Sequence, residues 1–250
     1  MKSRNLVQLL SIPTPKTRYW VEPRLFAHSG TMVLYGVAET FKSWFWIDLA
    51  FALATGTPWL GYTTHQCKVL VVQVEQPEIL YKERIQDWVE IHKIKPGDIV
   101  NNLRFINDME LRLDNTRGQQ DLEEEIKQWQ PDVVLIDCAY LVTNVNDLQS
   151  LTKFLTQLAY LQQHYGVAIG VIAHPRKEDR GDGEDRGMEE LAGYAMFYQR
   201  VDTIARVRHP NKDRNSRELL LQWQKSKHGR GVIGDVKVKW DDRTMTFSIE

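Results

Sequence analysis

Residues 31–56 read TMVLYGVAETFKSWFWIDLAFALATG, and their texture decides the fold. TMVLYG (31–36) is a short apolar run ending in Gly, the composition of a buried strand. The next residues are polar. Apolar side chains then recur at helical spacing from Trp44 to Leu53, and the pattern stops at Gly56, a helix end. A buried strand turning into a helix through a short polar loop is the opening unit of an α/β domain. KVLVVQVE (68–75), PDVVLIDC (131–138) and GVAIGVIAH (166–174) repeat the strand signature, and LRFIN (103–107) is a shorter instance. Helical patterns separate them: PEILYKERIQDWVEIHK (77–93) with Pro in its first turn, DLEEEIKQWQ (121–130) with an acidic first turn, and LQSLTKFLTQLAYLQQHYG (148–166). The alternation predicts an α/β fold with a mainly parallel central sheet flanked by helices on both faces.

The flanks differ from this rhythm. Residues 1–30 are polar and Pro-containing, an expected N-terminal arm anchored by Tyr19, Trp20, Leu25 and Phe26, with residues 31–250 as the body. PRKEDRGDGEDRGMEE (175–190) is charged and Gly-rich and reads as a mobile loop. From Val201, the segments VDTIARVRH, RELLLQWQK, GVIGDVKVKW and TMTFSIE read as strands joined by polar turns, an antiparallel C-terminal extension. No repeat of 20–50 residues is present.

Composition narrows the class. The 250 residues are 42% hydrophobic and 26% charged, ordinary globular usage that excludes a disordered or fibrous chain. A net charge of -1 excludes an overall basic polyelectrolyte, though not a local basic patch. No apolar stretch approaches the ~20 residues that span a bilayer, and the first residues lack a signal-peptide pattern; a cytoplasmic protein without membrane contact is expected. Two cysteines, Cys67 and Cys138, are too few for a disulfide framework or a four-thiolate zinc site, and His65, Cys67 and His92 lack metal-ligand spacing.

The loop GVAETFKSW (36–44) carries the chemistry. A phosphate loop reads G-x-x-x-x-G-K-[ST] between a buried strand and a helix, so that backbone N–H groups and the helix N-terminus surround the phosphates. Gly36, Lys42 and Ser43 are in place, and Phe41 stands where the second Gly belongs. On this reading Gly36, Val37, Ala38, Glu39, Thr40, Phe41, Lys42, Ser43 and Trp44 cradle ATP, with Lys42 reaching the β- and γ-phosphates and the Ser43 hydroxyl holding Mg²⁺. The plainer alternative is an ordinary strand-to-helix turn with a solvated lysine.

Three polar residues follow apolar strands in the same order. Asp137 ends PDVVLID, where a carboxylate would meet Mg²⁺ or its water shell. Glu75 ends KVLVVQVE, suited to polarise an attacking water. His174 ends GVAIGVIAH, beside the expected γ-phosphate, on a sheet that binds ligands at strand carboxyl ends. Singly, a carboxylate ending a strand is an ordinary cap and a lone His is structural. Three of them behind a phosphate loop favour a site.

With these motifs the sequence resembles the RecA-like P-loop ATPases, most closely the branch of RepA-type and DnaB-type hexameric replicative helicases. The resemblance covers roughly residues 18–232 and includes LQWQKSKHG in the late chain. It implies a RecA-like core over residues 31–250, ATP and Mg²⁺ as cofactors, Glu75 as catalytic acid, Asp137 as the second metal-site acid, and His174 followed by Arg176 and Lys177. The family's late K-x-R-x-G motif, whose cations reach the neighbouring subunit's ATP, matches Lys225, Lys227 and Gly229. A homo-oligomer, a hexameric ring, and single-stranded DNA are the implied partners. Two departures matter. Phe41 puts a ring where the loop turns, and Lys227 is a point charge where an arginine fork is usual, so hydrolysis is expected to be slow. Arg230 is a substitute cation.

The expected channel loops supply little positive groove. AYLVTNVND (139–147) has no basic residue, and acids outnumber bases in 177–190, leaving Arg176, Lys177, Arg180 and Arg186 as phosphate contacts. Trp44, Phe45, Trp46 and Trp59 read as core rather than as a stacking platform, and Tyr19 or Trp20 as arm anchors rather than an adenine stack. Three readings stay open: a DNA-dependent ring motor or helicase, a RecA-like accessory or regulator without unwinding, and a nucleotide-binding module that has lost catalysis. Glu75 with Asp137 argues against the last.

Overall fold

A computed structural model describes residues 3–175, 187–211, 213, 215–229 and 234–250. The chain opens with a short helix, α1 (Leu6–Leu10), and a two-stranded ribbon, β1 (Tyr19–Val21) and β2 (Phe26–Ala27). The body then runs β3 (Thr31–Tyr35), α2 (Lys42–Thr55), β4 (Val69–Gln73), α3 (Glu78–Ile91), α4 (Pro96–Ile99), β5 (Leu103–Asn107), α5 (Thr116–Trp129), β6 (Val133–Asp137), α6 (Ala139–Val142), α7 (Leu148–Tyr165) and β7 (Ala168–Ala173). After a 3₁₀ turn at Gly187–Glu190 come α8 (Tyr194–Arg200), β8 (Thr203–Arg208), β9 (Glu218–Ser226), β10 (Val236–Asp241) and β11 (Thr246–Ile249).

The main sheet has the order β11-β10-β9-β8-β3-β7-β6-β4-β5. From β8 to β5 every pairing is parallel, and from β8 outward to β11 every pairing is antiparallel. The strands β3, β4, β6 and β7 are buried along their whole length, as their unbroken apolar runs require when both faces are covered. Alternate residues feed two cores. Met32 and Leu34 face α2 and α3, while Val33 and Tyr35 face α5, α7 and α8.

α2 is apolar on nearly every side and is accordingly enclosed. Phe51 stacks on Trp88 of α3 at 4.1 Å, and Phe45 on Phe247 of β11 at 3.8 Å. Gly170 makes room for Trp46, since a Cβ there would lie 3.0 Å from the indole and 2.6 Å from Leu135. Trp20, Leu25 and Phe26 are buried against the body, whereas Leu6, Val7, Leu9 and Leu10 of α1 are exposed.

Three expectations change. The segment from Val201 does not begin the antiparallel extension. β8 runs parallel to β3, because the stretch with α8 carries the chain back across the sheet before β8 starts, and only β9 turns back by a hairpin. The expected loop 175–190 is ordered at both described ends: Pro175 bridges to Leu191, and Glu190 is buried in an ion pair with Arg206 at 2.6 Å. The helix expected at 121–130 starts earlier, at Thr116, where Asn115 accepts from the Gly118 N–H and caps it. Arg176, Lys177, Arg180, Arg186 and Arg230 lie outside the described residues.

Candidate functional site

The loop between β3 and α2 turns at the carboxyl edge of the sheet. Gly36 is indispensable there: a Cβ would lie 2.3 Å from the Val207 carbonyl oxygen of β8 and 2.9 Å from Thr40 Oγ1. Glu39 and Phe41 both adopt left-handed backbone, with φ of 68° and 57°. Phe41 thus takes the conformation that a glycine adopts freely, at a cost of roughly 1–2 kcal/mol for an L-residue. Its ring is held in compensation. It stacks on Trp240 at 5.3 Å, and the Arg217 guanidinium lies 5.3 Å from its centroid. Trp44, one turn on, packs on Trp240 at 5.1 Å and carries Arg84 over its ring at 5.1 Å.

Lys42 is buried at the first turn of α2, its ammonium donating to the Val37 carbonyl at 2.6 Å and to Thr40 Oγ1 at 3.4 Å. Burial lowers it to about 8, although Asp137, Glu75 and Cys138 pull in the other direction. Asp137 ends β6 and is 5% exposed; burial raises its carboxyl to about 6, against the pull of the Ser43 hydroxyl, Lys42 and Arg84. Among the described residues, its Oδ1 has no hydrogen-bond partner. Glu75 lies two residues beyond β4 and is exposed; the Val74 N–H donates to the Asp137 carbonyl at 3.0 Å and fixes the two strand ends together. Burial pushes the Cys138 thiol up to about 12, with Asp137 and Glu75 adding to the effect.

A cavity of about 480 Å³ joins these groups. Ala38, Glu39, Phe41, Lys42, Ser43, Trp44, Glu75, Asp137 and His174 line it, together with Gln76, Arg84, Ile172, Asn215 and Arg217. The residues present suit a magnesium nucleotide: a loop with no room for a Cβ at Gly36, a buried cation, a hydroxyl at Ser43, and a buried carboxylate oxygen still lacking a partner. His174 is at the cavity wall, with its ring edge-on to Tyr140 at 6.5 Å.

The late cations are elsewhere. Lys225 donates to the carbonyls of Tyr198 and Val201, the latter at 2.7 Å, and lies over the Tyr198 ring. Lys227 pairs with Asp202 at 3.3 Å. Neither lines the cavity of its own chain. Arg84, Asn215, Arg217, Trp240 and Cys138 were not singled out from sequence as parts of the site. Arg84 belongs to an amphipathic helix with several charges, and Asn215 and Arg217 come from a strand connection far along the chain. Only Cys138 carried a local signal, its position immediately after Asp137.

A parallel sheet with a phosphate loop on its central strand and two carboxylates at neighbouring strand ends defines the RecA-like P-loop class. The chain belongs to the AAA domain family, whose sequence model matches residues 4–180. In fold it is similar to a solved helicase-type ATPase domain (TM-score 0.66, 14% identity, 88% of this chain and 84% of that one). A DnaB-like replicative helicase, described with its interactions with primase, matches with TM-score 0.66 and 14% identity over 88% of this chain and 58% of that one. The RadB recombinase gives 0.58 and 16% over 88% and 90%. In sequence it is similar to the Twinkle homolog protein, chloroplastic/mitochondrial, of Arabidopsis thaliana, 26% identical over 106 residues. That match covers 41% of this chain and 15% of the relative's length. Among the described residues, no helix is long and apolar enough to cross a membrane.

Proposed function

We propose that this chain binds and hydrolyses ATP as a ring-forming RecA-like motor that acts on single-stranded DNA in replication or recombination, in a cytoplasmic setting. The observation that carries the reading is the convergence of Lys42, Ser43, Glu75 and Asp137 on one cavity at the carboxyl ends of β3, β4 and β6. Residues 36–44 hold the phosphates, with the Lys42 ammonium leaving the Val37 carbonyl for the β- and γ-oxygens. Ser43 and Asp137 hold Mg²⁺, which offsets charge on the phosphates. Glu75 accepts a proton from the attacking water, and His174 contacts the γ-phosphate from the β7 edge. Lys225, Lys227 and Arg230 act on the ATP of a neighbouring copy. Residues 31–250 form the ATPase unit and residues 1–30 an arm. The exposed apolar side chains of α1 support self-association.

A RecA-like accessory that hydrolyses ATP without unwinding is the second reading, favoured by the lack of basic residues in 139–147 and the excess of acids in 177–190. Two variants test the first. Lys42→Ala should nearly abolish ATP binding, and Glu75→Gln should bind ATP with hydrolysis slowed about 10²–10⁴-fold. Wild-type nucleotide affinity in the former or wild-type turnover in the latter would overturn the assignment, and strand displacement assays separate motor from accessory.

A further inference from the structure

Cys138 has no part in the chemistry above, yet its sulfur shares a small space with two carboxylates. Ligand atoms of Glu75, Asp137 and Cys138 all lie within 4.8 Å of one another, and among the described residues this is the one group of three His, Cys, Asp or Glu side chains so arranged. The second observation concerns Asp137. Its side chain is buried, and its Oδ1 has no hydrogen-bond partner among the described residues, which costs ~1–3 kcal/mol unless something satisfies it.

A tetrahedral ion with a sulfur ligand at about 2.3 Å and oxygen ligands at about 2.0–2.2 Å sets its ligand atoms roughly 3.5 Å apart. The three groups would have to close by about 1 Å to meet that spacing, and Glu75, being exposed, has the freedom to do so. Mg²⁺ prefers oxygen ligands, whereas a thiolate selects softer ions.

We propose that Glu75, Asp137 and Cys138 form a site for a thiophilic divalent cation of the zinc class, filled in the nucleotide-free protein. The sulfur–metal bond forms as the thiol proton passes to solvent, with no change of oxidation state. Three protein ligands leave one position for water, the arrangement of an open site rather than a closed structural one. The Lys42 ammonium, already held by Val37, faces the same carboxylates and is the charge the ion must outcompete. The inference does not depend on ATP hydrolysis, since it concerns the protein without nucleotide.

Cadmium is the probe, because thiolate-to-cadmium charge transfer gives an ultraviolet band that oxygen and imidazole ligands do not. The full chain, free of nucleotide, is titrated with Cd²⁺ against a competing chelator in the presence of excess Mg²⁺. One equivalent should bind with the band, Cys138→Ser should lose the band and at least tenfold in affinity, and Cys67→Ser should keep both. Glu75→Gln, at an exposed position that leaves the fold alone, should keep the band and lose about tenfold in affinity. Absence of the band in the wild type, its persistence in Cys138→Ser, its loss in Cys67→Ser, or unchanged affinity in Glu75→Gln would overturn the site. None of these outcomes bears on turnover by Glu75→Gln, so this proposal and the ATPase reading fail separately.

Discussion

Phe41 is the residue at which sequence and backbone disagree most plainly. It sits in left-handed backbone at a φ of 57°, and the ring is retained between Trp240 and Arg217. Two opposing terms follow: about 1–2 kcal/mol of backbone cost, against about 1–2 kcal/mol from ring stacking and the cation above it. Phe41→Ala keeps the backbone cost and loses the ring, while Phe41→Gly loses both. Urea denaturation should therefore rank wild type close to Phe41→Gly, with Phe41→Ala lower than Phe41→Gly by about 1 kcal/mol. Equal stability of the Ala and Gly variants would mean that the loop relaxes out of the left-handed region. From the sequence, the aromatic read only as a departure from the glycine pattern; the partners that make it tolerable lie near residues 217 and 240, beyond the reach of any local motif.

At the scale of elements, the strands were legible because each is a short apolar run buried on both faces: LRFIN coincides with β5, and β4, β6 and β7 fall inside the runs that predicted them. The helix α8 was missed because YAMFYQR mixes aromatics and polar groups without clear helical spacing, and the direction of β8 because pairing partners are not written in a strand's own composition. Lys42, Ser43, Glu75, Asp137 and His174 were each found by position relative to a strand end, the one feature of the site that periodicity reveals. α2 holds a further consequence. Asp48 is half-buried in this apolar helix, and burial raises its carboxyl to about 7. A carboxyl raised on folding contributes fully below its unfolded value near 3.8, and that contribution is lost as pH rises through about 7. Asp48→Asn should thus stabilise the protein by about 1–3 kcal/mol at about pH 8, with the gain vanishing below about pH 4. Thermal melts across that range check it, and a gain independent of pH would assign the effect to packing instead.

For the whole molecule, the test is whether a second copy completes the site. Lys225 and Lys227 are directed at the α8 end and Asp202 of their own chain, outside the cavity, so any action on nucleotide has to come from a neighbour. Mixtures of Lys225→Ala and Glu75→Gln should recover part of the hydrolysis that each lacks alone, because some interfaces then pair an intact Glu75 with an intact Lys225; ATP should shift the sedimentation of the wild type towards larger species. Subunit exchange without recovery would confine the chemistry to one chain. The order of the sheet also bears on how the protein is made. β3, which carries the phosphate loop, emerges early, yet it lies between β7 and β8, and Gly36 is pressed against the Val207 carbonyl of β8. The loop's outer wall, Trp240 and Phe247 on α2, is synthesised later still. Non-local pairing of this kind closes only after its last partner is available. Chains stalled on the ribosome should accordingly remain protease-sensitive across residues 36–44 until β8 has cleared the exit tunnel, and gain full protection only once Phe247 has followed. The loop that translation delivers among the first is among the last to acquire its shape.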